Sequence, residues 1–285
     1  MKLTQSLTLI QFKNQRFWLS AIGVGIIAVH QTLAWKSNNS DIFGTSCLFW
    51  IAISSLIWDR RHKLNLDSGA FPSFFGLSLI AVILLKSSSV TSLGKFLYIS
   101  PLILAFGLAL IASGFKGLKQ YQGELLVLFT LGLPKILPFW MMNITVLTAK
   151  AANFILWYTG FSVIRSGTNI YLPTGSIEVA RGCSGIELIF QMLGFALLFL
   201  LMFPQNLLSK IFLPICAIGI GFIVNAGRVA VMAVVVAQGN HKQTFDFWHH
   251  GDGSLIFSMI AVLIFSGICW FVINRDEPKN KHSSP

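Results

Sequence analysis

Charge is scarce in this chain: Asp, Glu, Lys and Arg make up 11% of its 285 residues, against 54% hydrophobic residues and a mean hydropathy of +0.72. Soluble domains carry about a quarter charged residues, so an ordinary soluble fold is excluded. The 21 basic residues are not clustered with aromatics into a surface patch, which excludes nucleic acid as a partner. No internal repeat, heptad pattern or low-complexity tract occurs, so a solenoid or coiled coil is excluded as well. The H-E-x-x-H spacing of helical zinc proteases is missing. Residues 1–16 mix polar and apolar side chains and lead to no small-residue cleavage site, so the first apolar stretch is expected to stay as an anchor. Cysteine is limited to four residues, and Cys47, Cys216 and Cys269 sit in apolar runs as small buried hydrophobes.

What the chain has in quantity is apolar stretches long enough to cross roughly 30 Å of hydrocarbon. They fall at 17–35, 42–58, 70–85, 97–114, 124–142, 186–203, 211–237 and 254–273. The expected fold is thus all-α and polytopic, with about eight transmembrane helices in one domain over 17–273. Residues 1–16 form a cytoplasmic segment and 274–285 a disordered cytoplasmic tail. The fifth stretch contains Pro134, Lys135 and Pro138, and the amphipathic segment 143–160 behind it can lie at the interface rather than cross. Ile170-Tyr171-Leu172, a Pro173–Ser176 turn and Ile177-Glu178-Val179 predict a small β-hairpin within an outer segment of about 161–185.

Lysine and arginine set the orientation. Lys2, Lys13, Arg16, Arg60, Arg61, Lys63, Lys116, Lys119, Lys210, Arg275, Lys279 and Lys281 fall on one side; Lys36, Lys86, Lys95, Arg165, Arg181 and Lys242 fall on the other. Both termini are therefore expected in the cytoplasm, and the hairpin outside. The net charge of +11 is a topology signal plus attraction to anionic membrane lipids.

The fourth cysteine differs from the rest. Cys183 lies in Arg181-Gly182-Cys183-Ser184-Gly185-Ile186-Glu187, where a polar segment turns into an apolar helix. Ser184 and Glu187 have the spacing of a capping box, which predicts Ser184 as the helix N-cap with Cys183 one residue before it. Unpaired N–H groups, the helix dipole and Arg181 there favour a thiolate, so Cys183 is a candidate nucleophile and Glu187 is read as structural. In Asn225-Ala226-Gly227-Arg228 two polar side chains at i and i+3 share one face of an apolar helix. An arginine at mid-membrane costs about 2.5–3.5 kcal/mol and marks a polar site. Counting from Ile211 at about 1.5 Å per residue places Arg228 roughly 25 Å along, near the outer interface. A snorkelling arginine, or a transporter or binding protein with Arg228 and Asn225 lining a polar path, fits the same spacing.

The loop Phe245-Asp246-Phe247-Trp248-His249-His250-Gly251-Asp252-Gly253-Ser254 precedes the last span. Its histidines suit proton transfer near neutrality, Gly251 and Gly253 permit a tight turn, and Ser254 is positioned to cap the next helix. Solvated loop histidines, or a metal held by Asp246, His249, His250 and Asp252, are the other readings of this loop.

These segments together resemble the exosortase/archaeosortase family. The segments 178–187 and 245–254 are similar to its cyanobacterial subgroup, the cyanoexosortases, of type A. The resemblance covers residues from about 70 to 273. It implies a plasma-membrane cysteine peptidase or transpeptidase. Its partners would be exported proteins with a carboxy-terminal sorting signal: a Pro-Glu-Pro-type motif, one transmembrane helix and a basic end. It further implies Cys183 as nucleophile, Arg228 as the arginine and His249 as the histidine, the last because His249 and Gly253 match the family's His-x-x-x-Gly. Asn225, Ser184, Gly185 and Gly253 are supporting positions, and no metal or cofactor is implied.

Overall fold

The computed structural model describes residues 15–37, 40–89, 94–136, 143–239, 242–250 and 252–276. Most of the expected cytoplasmic ends, 1–14 and 277–285, lie outside the described residues, as do Pro138 and Gly251. Among the described residues, seven stretches are long and apolar enough to cross a membrane, and the chain is a mostly helical, polytopic membrane protein. The expected fourth and fifth spans fall in one of the seven, Lys95–Ile136.

Contacts divide the chain into two units, Met1–Ile136 and Leu137–Pro285. The first contains α1 (Gln15–Lys36), α2 (Ser40–Arg60), α3 (Ala70–Ser89), α4 (Gly94–Gly117), a 3₁₀ turn (Leu118–Tyr121) and α5 (Gln122–Ile136). Helices in lipid gain little from apolar burial against one another, so close approach through small residues decides their packing. Gly76 of α3 and Gly107 of α4 meet backbone to backbone; a Cβ on Gly76 would lie 2.4 Å from the Gly107 carbonyl oxygen. Gly114 (φ 62°) breaks α4, and α5 then packs back along it. This break is why one long apolar stretch serves two expected spans.

Two polar pairings tie helices of this unit together. His30, 1% exposed, accepts from Trp50 Nε1 at Nδ1 (3.3 Å), which leaves Nε2–H to donate to the Leu97 carbonyl (3.1 Å). One imidazole thereby joins α1, α2 and α4. Arg60 pairs with Glu124, joining the end of α2 to the start of α5.

The second unit contains α6 (Thr145–Tyr158), β1 (Ile164–Ser166), β2 (Asn169–Leu172), β3 (Gly175–Glu178), a 3₁₀ turn (Arg181–Cys183), α7 (Ile186–Met202), α8 (Leu207–Ala237), α9 (Lys242–His250) and α10 (Asp252–Asp276). The expected hairpin is present, with a third strand added: the antiparallel sheet has the order β1-β2-β3, with Ile170 opposite Arg165 of β1 and Ile177 of β3. The turn is two residues, Pro173-Thr174, rather than four. Ile170, Leu172 and Ile177 point into the core shared with Cys183, Leu156 and Val229, while Tyr171 and Ser176 alternate outward. The Thr174 hydroxyl donates to the Ala237 carbonyl, anchoring the sheet to the end of α8. Along α8, Gly221 admits the α7 backbone, since a Cβ there would be 3.0 Å from Ile189 Cα.

Candidate active site

Cys183 closes the 3₁₀ turn that follows β3 and is 3% exposed. The sheet delivers it: Val179 N–H donates to the Thr168 carbonyl (3.0 Å), and Cys183 N–H donates to the Ala180 carbonyl (3.0 Å). The expected capping box does not form. Gly185, not Ser184, is the N-cap of α7, with φ 88° and no side-chain cap hydrogen bond. A left-handed residue is needed to swing the chain from the 3₁₀ turn into the helix, and glycine alone adopts it without strain. Ser184 stands one residue too early, and its Oγ reaches Ile186 N–H only at 3.5 Å.

Two side chains hold the carbonyls of this turn. Asn225, fully buried on α8, donates from Nδ2 to the Cys183 carbonyl (2.9 Å). Gly185 also has no room for a side chain: a Cβ would lie 2.5 Å from Asn225 Nδ2. Thr148 of α6, equally buried, donates from Oγ1 to the Ser184 carbonyl (2.7 Å).

His249 comes from α9. Its Nε2 is 2.9 Å from Cys183 Sγ, and its ring stacks on Phe245 with centroids 5.2 Å apart. Gly253 allows the return from α9 into α10, because a Cβ there would sit 2.7 Å from the Trp248 ring and 2.8 Å from the Phe247 carbonyl. Trp248 in turn packs on the core that contains Cys183. Arg228, one turn beyond Asn225 on α8, donates from Nη1 to Ser254 Oγ (2.7 Å), and its charge acts on Cys183. Its Nε is buried and has no partner among the described residues. Ser254 lies inside α10, which begins at Asp252, so it serves Arg228 instead of capping the helix.

The structure therefore brings together Cys183, His249, Arg228, Asn225, Ser184, Gly185 and Gly253. Among the described residues no group of His, Cys, Asp and Glu is arranged to hold a metal, and the side chains of His250 and Asp252 lie outside them. The free thiols Cys47, Cys216 and Cys269 take no part in the cluster.

This chemistry is a thiol and an imidazole in contact, with a guanidinium near by, at the start of an apolar helix. Residues 35–266 match the transmembrane exosortase (Exosortase_EpsH) family. The chain belongs to this family. As an exosortase it is, in general terms, a membrane-embedded sorting transpeptidase. No curated protein and no solved structure matches it.

Reading the sequence missed Thr148 and the role of Ser254. Thr148 did carry a signal, since Thr145, Thr148, Ala149, Ala152 and Leu156 form the buried stripe of amphipathic α6. Ser254 carried none beyond its nearness to the histidine segment.

Proposed function

We propose that this exosortase is a cysteine peptidase of the cyanobacterial type A group that cleaves carboxy-terminal sorting signals from exported proteins through a thioester. The observation that carries the reading is the 2.9 Å contact between Cys183 Sγ and His249 Nε2. A buried thiol reacts as a nucleophile only with a base beside it to take its proton, and this imidazole is within reach to do so.

In the proposed reaction the thiol proton passes to His249 Nε2 as Cys183 Sγ forms a bond to the scissile carbonyl carbon, moving the π pair onto oxygen. Collapse of that intermediate breaks the C–N bond, and the leaving amine takes the proton from His249. An amine nucleophile or water then attacks the thioester, gives its proton to His249 and releases the Cys183 thiolate, which the imidazolium reprotonates. Arg228 stays charged throughout, so it serves as a stabiliser of the thiolate or oxyanion rather than a base. Asn225, with its amide committed to the Cys183 carbonyl, fits a role in holding the nucleophile better than one in lining a transport path.

The proposed substrate carries a Pro-Glu-Pro-type motif, one transmembrane helix and a basic end. Its own helix would hold the motif beside Cys183 on the outer face of the plasma membrane, and tethering in one bilayer supplies proximity. With a co-expressed tagged substrate of this design, Cys183→Ala is expected to abolish processing while the enzyme still inserts. Continued processing would refute the proposal.

A further inference from the structure

Acyl transfer through Cys183, on the function proposed above, develops negative charge on the former carbonyl oxygen and requires backbone or side-chain donors aimed at it. The N–H groups around the nucleophile can be accounted for one by one. Cys183 N–H is bonded to the Ala180 carbonyl (3.0 Å) and Ser184 N–H to the Arg181 carbonyl (3.1 Å), so the 3₁₀ turn uses both. Ile186 N–H faces Ser184 Oγ at 3.5 Å. Among the described residues, nothing accepts from Gly185 N–H. It is the first free backbone donor after the nucleophile, at the positive end of α7.

Its direction is set from the other side of the same peptide. The Ser184 carbonyl and Gly185 N–H belong to one planar trans unit and point opposite ways. Thr148 Oγ1 holds that carbonyl at 2.7 Å, a shorter contact than its 3.1 Å approach to the Ile144 carbonyl in its own helix. With Thr148 fully buried at the carbonyl edge of that plane, the N–H leaves from the opposite edge, away from the Thr148 hydroxyl, and is held there. We propose that Gly185 N–H is the oxyanion donor and that Thr148 is the positioning residue that aims it through the Ser184 carbonyl.

The test compares Thr148→Val, which keeps the shape and removes the hydroxyl, with Thr148→Ser, which keeps the hydroxyl. Processing of the tagged substrate is measured in membranes, normalised to inserted enzyme, beside the rate at which iodoacetamide alkylates Cys183. Alkylation displaces iodide from carbon and develops no oxyanion, so it reports on the thiol alone. Thr148→Val is expected to lower kcat about tenfold or more, with KM and the alkylation rate unchanged. Thr148→Ser restores kcat to within about twofold. An unchanged kcat in Thr148→Val, a rise in KM in its place, failure of Thr148→Ser to restore turnover, or alkylation falling in step with kcat would each overturn the proposal. A wild-type enzyme that still processes substrate after complete alkylation of Cys183 would instead refute the underlying thiol mechanism.

Discussion

Gly185→Ala is the smallest change that loads the nucleophile turn. Gly185 has φ 88°, and an added Cβ would lie 2.5, 2.7 and 2.9 Å from Nδ2, Cγ and Cβ of Asn225. The left-handed conformation costs a non-glycine residue roughly 1–2 kcal/mol. Forcing one extra carbon into a packed site costs about 1–3 kcal/mol more, so the local penalty is ~2–5 kcal/mol. Relaxing the closest contact from 2.5 Å to an ordinary 3.4 Å needs a displacement of about 0.9 Å. Asn225 is fully buried and bonded to the Cys183 carbonyl, so the displacement is passed to the nucleophile. A misplacement of about 1 Å lowers turnover on the order of 100-fold. Processing per inserted enzyme and thermal unfolding in detergent should both report the loss. Repeating the change in an Asn225→Gly background separates the two causes: with Nδ2, Cγ and Cβ gone, the steric contacts with Asn225 disappear and the backbone part stays. Turnover within twofold of wild type, or the same added cost in both backgrounds, would refute the reasoning.

Three other substitutions probe different parts of the chain. Arg228→Lys removes the fork that serves Ser254 while its charge acts on Cys183, and processing should fall about tenfold; an unchanged rate would exclude a role for the planar guanidinium. Gly253→Val places carbon atoms against the Trp248 ring and the Phe247 carbonyl, displacing α9 and His249, so both processing and Cys183 alkylation should slow. Normal rates of both would show that the His-to-Gly spacing does not position the imidazole. His30→Leu leaves Trp50 Nε1 without its acceptor and should cost about 1–3 kcal/mol in thermal stability, with turnover per inserted enzyme unchanged. An undiminished melting temperature would refute the staple assigned to His30.

The membrane class was legible because long apolar runs are a property of composition, independent of tertiary contacts. Cys183, and Asn225 with Arg228, were legible for a related reason: each breaks an apolar context with polar groups at short, fixed spacing, whereas the choice of His249, with Gly253, came from the resemblance to the exosortase family. The start of α7 was read wrongly. S-x-x-E is a pattern of residue types, whereas the cap is decided by a backbone angle that glycine alone takes freely, and Gly185 directly follows the serine. Thr148 and Ser254 act across 36 and 26 residues of sequence, and such pairings leave no local mark beyond the periodicity of the helix that carries them. β1 is three residues long, too short for alternation to distinguish it from loop. The break at Gly114 was hidden because one glycine within an apolar run does not announce a positive φ.

The most direct measurement is peptide mass spectrometry of the enzyme, acid-quenched while it processes a tagged substrate. A hydroxylamine-labile acyl adduct on Cys183 that ends at the substrate's new carboxy terminus is the predicted result. Processing at its full rate with Cys183 never acylated would contradict a thioester mechanism at this residue.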